Sequence, residues 1–185
     1  MNTALVLIDI QQDYFPKGSM EVVGAVEASL AAKKLLGYFR QENLPVVHIQ
    51  HVSIREGATF FLPDTEGINF HENVRPVSGE TVIKKYFPNS FRDTGLDEYL
   101  IFREIKELVI CGMMTQMCID ATVRAAFDKG YSCVVAHDAC AARSQVFNDI
   151  DVPAAHVHEA YMAALGAVYA KVSNAEEIIV TLRNT

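Results

Sequence analysis

Short apolar runs alternate along this chain with longer stretches whose apolar residues recur at helical spacing, and that alternation leaves few folds open. Thr3 to Ile8 is a continuous, partly β-branched run, and Ala25 to Asn43 places Val26, Leu30, Ala31, Leu35, Leu36 and Phe39 at helical spacing before Pro45. Further strands are predicted over 45–50, at Val82-Ile83, over 108–111 and over 132–136. Helical patterns fall at about Gly95 to Arg103, Gln116 to Lys129 and Ala154 to Ala170. The fold expected is α/β: an open parallel sheet of about six strands with helices on both faces, three-layered and Rossmann-like.

A chain of 185 residues is within reach of one domain and long enough to bury a core unaided, and no repeat or linker divides it, so a single domain over 1–185 is expected. A formal charge of -7 with no local basic patch excludes an electrostatic footprint for nucleic acid. The N-terminal apolar run ends at Asp9 without a basic flank or cleavage site, and no other run is long enough for a membrane span. No membrane partner and a cytoplasmic location are the expectation. The cysteines at 111, 118, 133 and 140 contain no C-x-x-C pair, which fits reduced thiols.

Open parallel sheets place their sites at the carboxyl ends of the strands. Asp9, His51, Lys84 or Lys85, the segment from Gly112 to Cys118, and His137-Asp138 occupy those ends. Asp9 follows six apolar residues, and poor solvation is expected to raise its pKa toward that of a proton shuttle. Cys118 is expected in the first turn of a helix, where free N–H groups and the dipole favour a thiolate and can hold an oxyanion. Alternation along the strand puts Lys85, not Lys84, on the face of Ile83, where a lysine would lower the pKa of a neighbouring thiol.

The remaining chemistry-bearing residues have more ordinary readings. His48 and His51 point to opposite faces of a strand and no metal is expected between them, while His156 and His158 diverge on a helix. Asp138 suits a cap on the turn after its strand. Phe15, Phe60, Phe61 and Phe87 lie in loops near the rim, and Phe15, Phe61, Phe87 and Met113 are the candidates for contacting substrate. The long segment from Val52 to Gly79 presents an apolar knot at Phe60-Phe61-Leu62 and is a candidate for shaping a pocket. A phosphate loop and a G-x-S-x-G elbow are both missing, which leaves cysteine chemistry.

The stretch Leu7-Ile8-Asp9-Ile10-Gln11-Gln12-Asp13-Tyr14-Phe15, then Lys85 before Asn89-Ser90-Phe91 and Thr94-Gly95-Leu96, then Gly112 to Cys118, resembles the isochorismatase-like cysteine hydrolases across almost the whole chain. The resemblance implies a catalytic triad of Asp9, Lys85 and Cys118, with the lysine six residues before Phe91 and Lys84 as the fallback. It also implies a cis peptide between Met113 and Met114, and an oxyanion hole from the N–H groups of Met114 and Cys118. The metal-binding Asp and His set of the family's nicotinamidases is not matched by His51-Val52-Ser53 with Ile49 where an Asp is wanted, so no metal and no other cofactor is expected. Members that cleave the vinyl ether of isochorismate lack the cysteine that stands here at 118.

The function expected is hydrolysis of an amide, imide or similar C–N bond of a small molecule through a covalent thioester. Two alternatives stand beside it: hydrolysis without a covalent intermediate, and a catalytically silent small-ligand-binding or scaffold protein on the same fold. The resemblance implies a homo-oligomer, dimer or tetramer, and the apolar Tyr161 to Tyr169 segment is a candidate contact.

Overall fold

The structure, a computed structural model, describes residues 2–184. Its centre is β1 (Thr3–Ile8), all six residues of which are buried, as expected for a strand hydrogen-bonded on both sides and covered on both faces. β2 (Val46–His51), β3 (Thr81–Lys85), β4 (Glu107–Met113), β5 (Ser132–Ala141) and, near the C-terminus, β8 (Lys171–Ser173) complete a wholly parallel six-stranded sheet in the order β3-β2-β1-β4-β5-β8.

Helices cover both faces. α1 (Ala25–Gln41) buries Ala28, Ala32, Leu35, Leu36 and Phe39, the stripe expected of a helix laid on a sheet. It packs beside α5 (Ala175–Arg183). α2 (Leu96–Phe102), α3 (Asp120–Asp128) and α4 (Ala154–Val168) supply the remaining cover, α3 against α4. Leu5, Ile8, Leu35 and Ile110 are fully buried; truncating one such residue to Ala costs about 2–5 kcal/mol.

Several elements differ from the sequence reading. β5 runs on to Ala141, so His137 and Asp138 sit within the strand, and Asp138 Oδ1 accepts the N–H of Ala175 at the start of α5 (2.8 Å) rather than capping its own turn. β8 and α5 were not anticipated; α5 begins with an Asn174/Glu177 capping box. An antiparallel hairpin of β6 (Gln145–Phe147) and β7 (Ile150–Val152) also stands apart from the main sheet. The helix expected over 116–129 is a π-type turn, Thr115–Ile119, leading into α3.

The Phe60-Phe61-Leu62 knot is not exposed as a whole: Phe61 is fully buried, its ring centroid 4.6 Å from that of Tyr14. Asp13 explains the anchoring, since its Oδ2 accepts the N–H of Phe61 (2.6 Å) and its Oδ1 that of Ser19 (3.1 Å).

After β1 the chain builds outward through β2 and β3, then crosses back to place β4 on the other side of β1. That reversal opens a crevice at the carboxyl ends of β1 and β4. The two backbones meet closely there: Gly112 has φ 133°, and a Cβ on it would fall 1.9 Å from the Ile8 carbonyl oxygen. Only glycine allows that register.

Candidate active site

Asp9, the first residue beyond β1, adopts φ 53°, and Lys85 is the last residue of β3. Lys85 Nζ lies 2.8 Å from Asp9 Oδ2, with both side chains wholly buried, and also donates to the Pro88 carbonyl at 2.8 Å. Lys84, on the other face of the strand, is exposed.

Cys118 arrives from the other side of the switch point. The Met113–Met114 peptide is cis, and the Met114 carbonyl accepts the N–H groups of Met117 (3.0 Å) and Ile119 (3.3 Å), winding the turn that carries Cys118. Cys118 is 3% exposed. A carboxylate oxygen of Asp9, Nδ1 of His51 and Sγ of Cys118 all lie within 4.8 Å of one another. Asp9, Lys85 and Cys118, separated by more than a hundred residues of chain, thus share one buried point.

His51, placed by sequence among the strand-end residues but given no catalytic role, closes this cluster. Its Nδ1 is 3.9 Å from Cys118 Sγ and 3.7 Å from Asp9 Oδ2. Its backbone is clamped by Gln11, whose Oε1 accepts the His51 N–H (2.7 Å) and whose Nε2 donates to the His51 carbonyl (2.9 Å). The signal was its place at a strand end. Tyr14 is also buried nearby, where burial, with the Asp9 and Asp13 carboxylates adding to it, pushes its phenol well up and keeps it protonated.

The electrostatics correct two expectations. Burial does work to raise the Asp9 pKa, but the Lys85 ammonium, aided by His51, outweighs it and holds the carboxyl below its ordinary value. Burial opposes the Lys85 charge, yet the Asp9 carboxylate holds it above the usual lysine range. Cys118 is not a ready thiolate: burial, with the Asp9 carboxylate beside it, pushes the thiol well up despite Lys85. Resting Cys118 is therefore SH, facing a carboxylate whose two oxygens accept no well-aligned hydrogen bond.

A metal site of the kind implied for nicotinamidases does not fit. His51 is followed by buried Val52 and by Ser53, so the segment after β2 brings a single ligand. The Asp9, His51 and Cys118 atoms could together grip a cation, but Asp9 Oδ2 already faces the Lys85 ammonium and the thiol would be consumed as a ligand.

A cavity of about 630 Å³ opens next to this cluster, with His51, Met114 and Met117 on the side of Cys118. Phe87 lines it, joined by Phe60 and Tyr86. Phe15, Phe61 and Met113 are not among its walls: Phe15 stacks on His71 (centroids 3.7 Å apart), Phe61 lies behind His51 (5.7 Å), and Met113 is fully buried in β4. Alternation explains Met113, which the pleat turns away from the crevice while Met114, beyond the strand, faces it.

Comparison with known proteins agrees with the architecture. The Isochorismatase domain family matches residues 3–177. The chain is 51% identical over 179 residues to the uncharacterized isochorismatase family protein YddQ of Bacillus subtilis (strain 168), covering 97% of this chain and 99% of that one. It is 31% identical over 183 residues to a streptothricin hydrolase of Streptomyces noursei, covering 97% of this chain and 62% of that one. The crystal structure of a candidate isochorismatase hydrolase from Oleispira antarctica superposes with a TM-score of 0.93 at 50% identity, covering 96% of each chain. With a family match across nearly its whole length and the same fold in a half-identical relative, the chain belongs to the isochorismatase family of hydrolases.

Proposed function

We propose that the protein is a cysteine hydrolase that cleaves an amide, imide or similar C–N bond of a small molecule through a thioester on Cys118. The observation that carries this reading is the convergence of a buried thiol with a buried carboxylate that has a lysine 2.8 Å away. Similarity to a streptothricin hydrolase supports hydrolysis, and similarity to the ureidoacrylate amidohydrolase RutB of Acinetobacter baylyi (28% identical over 113 residues) supports C–N chemistry.

In this mechanism the thiol loses its proton only as it attacks. Asp9 accepts the proton from Sγ while sulfur bonds to the carbonyl carbon, and the N–H groups of Met114 and Cys118 hold the oxyanion. Collapse breaks the C–N bond, and Asp9 returns the proton to the leaving amine. Water then attacks the thioester, again giving its proton to Asp9. Collapse releases the acid, and Asp9 reprotonates the departing sulfur. Lys85 holds Asp9 ionised at rest and neutralises charge at the reacting centre. The high resting pKa of Cys118 suits this concerted order, since a free thiolate is not required before substrate arrives.

The test is intact-mass spectrometry during turnover of a panel of small amides. The wild type is expected to show a mass increment equal to the acyl group, mapped to Cys118, and Cys118→Ala to show neither adduct nor turnover. Turnover without any adduct, persisting in Cys118→Ala, would assign the reaction to a non-covalent route.

A further inference from the structure

The cavity beside Cys118 has a charge pattern opposite to that of the molecule. The chain carries 23 Asp and Glu against 16 Lys and Arg, yet no acidic side chain lines the cavity, while Arg55 and Arg143 both do. The other walls are chiefly apolar and aromatic, among them Phe60, Phe87, Pro88 and Met117.

Neither arginine has a carboxylate partner among the described residues, and both are exposed at the cavity rim. Arg143 is nonetheless held in place from the nucleophile's own turn: Gln116 Nε2 donates to its carbonyl (3.2 Å), and its Nη1 lies against Met20 Sδ, another cavity residue. Arg55 starts a tight turn in which the Ala58 N–H bonds its carbonyl (3.1 Å) and Gly57, inside the turn, has φ 75°.

Two guanidiniums lining one cavity with no acidic wall residue favour an anion there, and their planar fork matches a carboxylate. Resting on the reading of Cys118 as the nucleophile, we propose that the substrate is a small amide with an apolar or aromatic body and a free carboxylate, the carboxylate being held by Arg143 and Arg55 while the amide carbonyl reaches Cys118. A cavity of about 630 Å³ accommodates a molecule of that kind. The product would then be a dicarboxylate, with the second carboxylate generated at the thiol.

The experiment uses matched pairs that differ only in charge: 4-carbamoylbenzoate against terephthalamide, and succinamate against succinamide. Hydrolysis by the wild type, Arg143→Gln and Arg55→Gln is followed by ammonia release, and binding of the same compounds to Cys118→Ala by calorimetry. The carboxylate member is expected to be preferred roughly 10- to 100-fold in kcat/KM and in affinity for Cys118→Ala. That preference should shrink in both arginine variants through KM, and with added salt.

Arginine-dependent binding of the carboxylate members to Cys118→Ala without any acyl-enzyme in the wild type would uphold the anion site and refute the covalent reading. Equal or better use of the neutral members, a preference unchanged in both arginine variants, or no binding and no reaction with any pair would overturn the proposal.

Discussion

At the scale of single residues the site turns on one buried carboxylate serving two neighbours of opposite demand. Asp9 stabilises the Lys85 ammonium and raises the Cys118 pKa. Replacing it by Asn therefore has effects of opposite sign on two observables. Hydrolysis should fall roughly 10³- to 10⁴-fold, because the proton acceptor is gone. Alkylation of Cys118 by iodoacetamide, followed by mass spectrometry, should instead move to lower pH, because a repelling anion has been removed. A shift to higher pH would mean that Asp9 activates the resting thiol.

Lys85→Met strands the Asp9 charge in the interior and should cost about 3–5 kcal/mol in urea unfolding. Adding Asp9→Asn should restore most of that stability and none of the activity. Additive losses in the double variant would mean that the pair does not act as a unit.

Among the elements, the junction of α1, β2 and the lead into β3 hangs on Glu80. Its carboxylate accepts from Arg40 Nε (2.7 Å) and Nη2 (2.9 Å), from the Val77 N–H (3.0 Å), and pairs with buried His48 Nε2 (2.8 Å). Burial pushes its pKa up, but the Arg40 hydrogen bonds, then Val77 and His48, bring it down to about 2 from an ordinary 4.5. Because the folded pKa is depressed, Glu80 contributes its full stability above about pH 4.5 and loses it as pH falls toward 2. Glu80→Gln should be less stable than the wild type at pH 7 by about 1–3 kcal/mol, with the gap closing as acid titrates the wild-type group. Urea midpoints at pH 7 and pH 3 check this; a gap that does not narrow would exclude an ionic role.

On the scale of the whole molecule, one region is more apolar than an isolated surface requires. The β6–β7 hairpin exposes Val146, Phe147 and Ile150 at 65–71%. Such clusters are uncommon on monomers. The homo-oligomer implied by the family resemblance would bury this region. Light scattering at micromolar concentration is expected to give at least twice the 20.5 kDa of one chain, falling to one chain in Phe147→Glu. A wild-type mass of one chain would refute it.

The alternation of apolar runs with helical stretches determined the layered α/β fold, because parallel strands buried on both faces must be apolar throughout and helices on a sheet must carry a stripe. It also brought Asp9, Lys85 and Cys118 to strand ends, where this topology gathers chemistry. β8 and α5 went unread because Lys171–Ser173 is too short and polar to look like a strand, although the Asn174/Glu177 capping box was legible. What the sequence could not determine is what depends on distance between residues far apart in the chain. Whether Asp9 is raised or lowered was decided by a lysine 2.8 Å away and 76 positions along; Coulomb interaction follows separation in space. His51 beside the thiol and Arg143 in the cavity wall were likewise decided by tertiary structure alone, because only the folded crossover brings β2, the nucleophile turn and the segment after β5 around one cavity.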